Sequence, residues 1–170
     1  MLIQELKCIN WRNLEKLNLS FSNHLIILQG KNAQGKTNLL EAIYFLSRGR
    51  SFRRAKDQEM VTWGESYSYL GAKVGEDGTY FWKEVSIQPG QKKEWKINGH
   101  PGSGRRGIWL VGYFPSDHEI VAGPPQNRRE YIDEDIGVIY SAHAALVQQY
   151  DGLLSRRNYL LREHTRAALI

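Results

Sequence analysis

The 170-residue chain has one cysteine, five prolines and no apolar run near the length of about 18 residues that a membrane-spanning helix needs. A lone Cys8 rules out an internal disulfide, and its place in an apolar strand pattern suggests a buried thiol. His24, His100, His118, His143 and His164 are scattered without the short spacings of a zinc site, so no structural metal is expected. The opening Met1-Leu2-Ile3-Gln4-Glu5-Leu6 lacks the basic-then-apolar order of a secretion signal, which predicts a cytoplasmic protein without a membrane partner. A G-x-S-x-G nucleophile elbow is missing. Asp133, Glu134 and Asp135 read as an exposed acidic helix segment. Hydrophobic content of 41% and charged content of 24% lie near globular averages and exclude a disordered chain, while the length suits one main core. The net charge of +5 permits attraction to polyanions, but its distribution has to decide.

Periodicity organises the rest. Residues 2–9 and 17–21 alternate apolar and polar as half-buried strands, joined by the turn Asn10-Trp11-Arg12-Asn13. Leu25-Ile26-Ile27-Leu28 predicts a strand covered on both faces and ended by Gly30. Leu39, Leu40, Ile43 and Leu46 recur at helical spacing from Lys36 to Ser47, and Gly49 is placed to stop that helix. Short strand-like pieces between 67 and 98, separated by Gly75–Gly78, Pro89-Gly90 and Asn98-Gly99, predict an antiparallel meander. Ile108–Phe114 is a second buried apolar run. Helices are expected from Gln126 to about Ile136 and from Ala142 to the C-terminus, the latter reading as cut short at Ile170.

The chemistry lies between the apolar run and the first helix. Gly30-Lys31-Asn32-Ala33-Gln34-Gly35-Lys36-Thr37 fits G-x-x-x-x-G-K-[ST], flanked by strand and helix as a phosphate loop requires. Glycines let successive N–H groups curl round a phosphate while the helix points its positive end at the same anion. Lys36 is expected to bridge the β- and γ-phosphates and Thr37 to give its hydroxyl to Mg²⁺. Lys36 and Thr37 are thus the candidate catalytic residues.

Three segments carry a resemblance: Asn10-Trp11-Arg12-Asn13, the phosphate loop continued through Asn38-Leu39-Leu40-Glu41-Ala42-Ile43, and Gly49-Arg50-Ser51-Phe52-Arg53. Phe114-Pro115 through Gly123-Pro124-Pro125, with Arg128-Arg129-Glu130-Tyr131-Ile132-Asp133, extends it over nearly the whole chain. The chain resembles the N-terminal part of the RecF family, bacterial recombination mediators whose ATPase heads are related to those of SMC and ABC proteins. This implies an α/β P-loop ABC/SMC-type ATPase head with an antiparallel β meander and a C-terminal helical extension. Residues 1–140 would be the N-terminal part of the head and 141–170 the start of a helical arm. The resemblance also implies ATP as the nucleotide, an Arg12 side chain that reaches its phosphates, and Asn13 and Asn38 among the nucleotide-binding residues. An ATP-dependent homodimer is implied, together with binding to single-stranded DNA and single-strand/double-strand junctions. So is work with RecR and RecO in loading recombinase at gaps during replication, DNA damage repair and the SOS response. Two departures stand out. Ser116 precedes Asp117 where the family commonly has Glu, and no Walker B acid, signature loop or switch histidine falls within the chain. Weak hydrolysis is implied for the whole protein and little or none for these residues alone.

Arg48, Arg50, Arg53, Arg54 and Lys56 form the densest basic cluster, without an acid among them. Guanidinium groups pair bidentately with phosphate, which makes the cluster a candidate nucleic-acid contact; a solvated loop, or arginines answering acids elsewhere, is the alternative. Lys92-Lys93 and Arg105-Arg106 are secondary candidates. A small P-loop phosphotransferase is a second functional class, though its fold usually alternates strands and helices.

Overall fold

A computed structural model describes residues 2–22, 24–76, 78–104 and 107–167. Two compact units are present, residues 1–112 and 113–170.

The first unit is built on six antiparallel strands in the order β2-β1-β3-β4-β5-β6. They are β1 (Leu2–Trp11), β2 (Leu14–Ser20), β3 (Ser68–Glu76), β4 (Thr79–Ile87), β5 (Glu94–Ile97) and β6 (His100–Pro101). The turns sit where glycine and asparagine predicted them: Gly78, Gly90 and Gly99 all have positive φ. Period-two alternation puts Leu6 and Cys8 of β1, Leu70, Ala72 and Val74 of β3, and Val85 and Ile87 of β4 in the core. The opposite face carries polar ties, among them the Tyr69 hydroxyl donating to Glu84 Oε2 at 2.7 Å and the indole of Trp82 donating to the same oxygen at 3.1 Å.

Helix α1 (Lys36–Arg48) packs on the core face through Leu39, Ala42, Phe45 and Leu46. Gly49 ends it in the left-handed conformation, donating its N–H to Phe45 O at 2.8 Å. Trp11 meets Phe45 edge-on at 5.1 Å, and Trp95 stacks on Phe45 at 6.1 Å.

Two expectations are corrected. Leu25–Leu28 forms no strand, and Leu25 and Ile27 are more than three-quarters exposed. A run covered on both faces needs strand neighbours, and the six described strands are all engaged in the antiparallel sheet. Residues 108–112 likewise form no strand. Ile108 is buried against α1, its carbonyl accepting from Ser47 Oγ at 3.0 Å, while Trp109 and Val111 face outward. Arg105-Arg106 lies outside the described residues.

The second unit is helical: α2 (His118–Ala122), α3 (Pro125–Ile139) and α4 (Ser141–Ala167). Pro125 opens α3, where its missing N–H costs nothing. Asp117 closes the preceding turn by accepting from Phe114 N at 2.7 Å. Gly137 allows α4 to approach at Ala144, and His143 Nε2 lies 2.9 Å from Asp133 Oδ1. No helix among the described residues is long and apolar enough to cross a membrane.

Candidate nucleotide site and its basic neighbours

Backbone geometry sets the loop first. Ala33 and Gly35 hold φ of 63° and 93°, the left-handed region that reverses the chain into α1. A Cβ on Gly35 would stand 2.8 Å from Leu14 Cδ2 and 2.9 Å from Asn13 Oδ1, so glycine is required for space as well as for angle. Gly35→Ala is therefore expected to lower stability by about 1–3 kcal/mol and displace Asn13, read as a lower denaturant midpoint; an unchanged midpoint would refute the packing described.

The start of α1 is open to an anion. Gly35 offers no side-chain cap and the first turn contains no acid, which leaves the helix's first N–H groups and its positive end without a resident counter-charge. Lys36 Nζ arches back to Gly30 O and Lys31 O, each at 2.6 Å. A cavity of about 210 Å³ opens here, lined by residues 32–38 together with Arg53. Among the described residues its lining has no carboxylate; it offers amide, ammonium, guanidinium and hydroxyl donors, a set that suits a polyphosphate. The Thr37 hydroxyl is a hard oxygen that could serve as one ligand of a Mg²⁺ ion.

Behind the loop, the β1–β2 turn clamps it. Asn13 Nδ2 donates to Ala33 O at 3.2 Å, and Asn38 Nδ2 donates to Asn13 Oδ1 at 2.8 Å. Trp11 Nε1 donates to Asn38 O at 2.9 Å. Arg12, held at φ 53°, donates from Nε and Nη2 to the two carboxylate oxygens of Glu41 at 3.0 and 2.9 Å. Glu41 is fully buried and also accepts from Ser51 Oγ; Arg53 Nη1 lies 3.5 Å from its Oε2 and 3.0 Å from Asn38 Oδ1. One carboxylate thus joins the turn, the phosphate-loop helix and the basic loop.

The basic cluster divides. Arg48 is half-buried and donates to Leu110 O at 3.1 Å, and Arg53 faces the phosphate loop. Arg50, Arg54 and Lys56 are exposed. Lys93, a secondary candidate for nucleic acid, instead caps α1 through Gly49 O at 2.7 Å and pairs with Asp57 at 3.0 Å. Glu41, Ser51 and Lys93 were missed as organising residues. The available signal for Glu41 was its position four residues before Phe45, on the side of α1 that also presents Leu39 and Ala42 to the core.

The model of the AAA ATPase domain family matches residues 1–155. The chain belongs to that family. This AAA ATPase domain is 37% identical over 166 residues to the DNA replication and repair protein RecF of Alkaliphilus oremlandii (strain OhILAs), an alignment covering 95% of this chain and 46% of that protein. Two solved structures of the recombination mediator protein RecF in the RecFOR pathway, with ATPrS and with ATP, superpose with TM-scores of 0.89 and 0.86 at 38% identity. Each covers 95% of this chain, and 45% and 44% of the RecF chain respectively. An SMC ATPase structure shares the fold at 18% identity and a TM-score of 0.58, over 79% of this chain and 99% of that one. The AAA ATPase domain thus resembles the N-terminal part of RecF in sequence and in fold, as its motifs implied, and spans about half the length of the relatives it matches.

Proposed function

We propose that this AAA ATPase domain binds Mg·ATP on the phosphate loop and belongs to a RecF-type DNA-repair protein whose grip on DNA follows its nucleotide state. The observation that carries the reading is the cavity at the uncapped start of α1, lined by an unbroken run of motif residues and, among the described residues, no acid. Gly30, Lys31, Asn32, Ala33, Gln34 and Gly35 shape the cradle, Lys36 and Thr37 meet the phosphates and the metal, and Arg12, Asn13 and Asn38 fix the cradle from behind. ATP in a solved RecF structure of the same fold supports the choice of nucleotide.

DNA is the proposed macromolecular partner, in single-stranded and junction forms, contacted mainly by exposed Arg50, Arg54 and Lys56. RecR and RecO as partners, and an ATP-dependent homodimer, follow from the RecF likeness. A small phosphotransferase is disfavoured because residues 68–101 complete one antiparallel sheet rather than alternating strands and helices.

Calorimetric titration with Mg·ATP and a slowly hydrolysed analogue tests the reading. Lys36→Ala removes a charged donor from the phosphates and is expected to weaken binding about thirtyfold or more. DNA binding should fall steeply between two salt concentrations. A wild-type chain that gives no binding heat with either nucleotide would overturn the proposal.

A further inference from the structure

We infer that Lys93 is a positioning residue for DNA binding: its ammonium staples the two ends of the basic loop together and holds Asp57, the acid that ends the basic run, away from the loop's own cations. The inference rests on that loop's being the DNA contact, and it gives Lys93 itself no contact with DNA.

Residues 48–56 contain no acid, and Asp57 is the first to follow. Lys93 reaches this loop from the connection between β4 and β5. Its Nζ donates to Gly49 O at 2.7 Å, where the loop begins. The same Nζ lies 3.0 Å from Asp57 Oδ2, where the loop ends in the short 3-10 turn Asp57–Met60. The Phe45 ring lies 5.1 Å from it, so the ammonium is seated over the last turn of α1. Between the two ends, anchors alternate with cations. Ser51 is buried and bonded to Glu41, Phe52 meets Tyr44 edge-on at 5.6 Å, and Ala55 packs against the core. Arg50, Arg54 and Lys56 stay exposed. With its ends joined on one side chain, the segment is a compact surface loop that presents its cations outward.

Two physical effects then favour a phosphate backbone as the occupant. Like charges crowded on a short segment repel, and an unclosed loop would spread them; closure fixes their spacing beforehand and leaves less ordering for the binding step. An unpaired Asp57 would also be an acceptor for Arg54 or Lys56 within the same segment, in competition with DNA phosphate. Lys93 satisfies that carboxylate from another element.

The test measures binding of a fluorescent duplex with a single-stranded tail, in Mg·ATP at two salt concentrations, to wild type and four variants. Lys93→Met is expected to bind about fivefold more weakly. Lys93→Arg, whose guanidinium also bridges a carbonyl and a carboxylate, should stay within about twofold of wild type. Lys96→Met removes the same charge from an exposed position on β5 and should also stay within about twofold. Asp57→Ala decides by its sign. It raises the net charge beside the loop, so charge alone would tighten DNA binding, whereas loss of closure is expected to weaken it about threefold. Affinity for Mg·ATP without DNA should change by less than about twofold in every variant, since neither Lys93, Asp57 nor Lys96 lines the cavity. DNA binding by Asp57→Ala at or above the wild-type affinity, a loss in Lys93→Met no larger than in Lys96→Met, or an equal loss of ATP affinity would overturn the inference. If Lys93→Met does not fold, Asp57→Ala still decides, because it leaves Gly49 O its donor. Absence of salt-sensitive DNA binding in the wild type would instead sink the DNA reading, and this inference with it.

Discussion

Glu41→Ala is expected to cost the first unit about 3 kcal/mol, the lower end of the range for leaving a buried charge pair half empty. The lower end applies because Arg12 is 18% exposed and regains some water when its partner is lost. A domain of this size has about 5–15 kcal/mol in total, so the loss removes a large share of the folding free energy. Three elements lose their common anchor at once: the Asn10–Asn13 turn, α1 and the loop at Ser51. Urea unfolding followed by tryptophan fluorescence suits the question, because buried Trp11 packs on Phe45 and donates to Asn38 O. The midpoint should fall with the slope unchanged, and Glu41→Gln should fall less, since the amide keeps the volume and one acceptor. A midpoint within error of wild type would show that the carboxylate does not organise the site in solution.

Lys83→Met is expected to stabilise the same unit at pH 7 by less than about 3 kcal/mol, because Gly104 O loses its donor, and the gain should be lost by pH 10.5. Lys83 is fully buried in β4, its ammonium donating to Gly104 O at 2.9 Å over the Trp95 ring. Burial pushes it down to about 8 from 10.5. Below pH 8 both folded and unfolded chains carry the charge, and the desolvation cost is constant. Between 8 and 10.5 the unfolded chain binds more protons, so wild-type stability rises with pH and the advantage of methionine shrinks. The difference of about 2.5 units sets the upper limit at about 3 kcal/mol. Cys8 and Tyr69 oppose this trend in the wild type. Burial lifts both to about 12, from 9.0 and 10.0, which removes stability as pH rises past those ordinary values. They are common to both chains and cancel in the difference between wild type and Lys83→Met. A difference that stays constant from pH 7 to 10.5 would refute the buried-charge account.

Local signals were reliable where one short segment sufficed to determine the outcome. Helix α1 with its Gly49 stop and the meander turns depend on glycine conformations and periodicity within about ten residues, and both stand where the sequence put them. Lys83 was readable in the same way, since it shares strand parity with Phe81, Val85 and Ile87. The failures are non-local. Leu25–Leu28 has the composition of a strand buried on both faces, but composition does not supply the neighbours that burial needs. The Glu41 hub joins residues 12, 41, 51 and 53, and no spacing rule links a turn arginine to a helix acid 29 positions on. That Arg53 lines the phosphate-loop cavity while Arg50 and Arg54 do not was likewise invisible in a run of like charges.

The strand register also orders events in time. β1 pairs with its neighbour β2 across a tight turn, but its other edge pairs with β3, Leu2 opposite Gly75. That pairing closes a loop of roughly seventy residues, whose entropic cost is met before any of its contacts form. The whole phosphate loop, α1 and the basic loop lie inside it. The hairpin of β1 and β2 can form early on local contacts, but the surface on which α1 rests exists only after β3 arrives. The nucleotide cradle is therefore expected to form late in folding, and a chain arrested before that long-range closure would hold the complete motif with nothing to shape it.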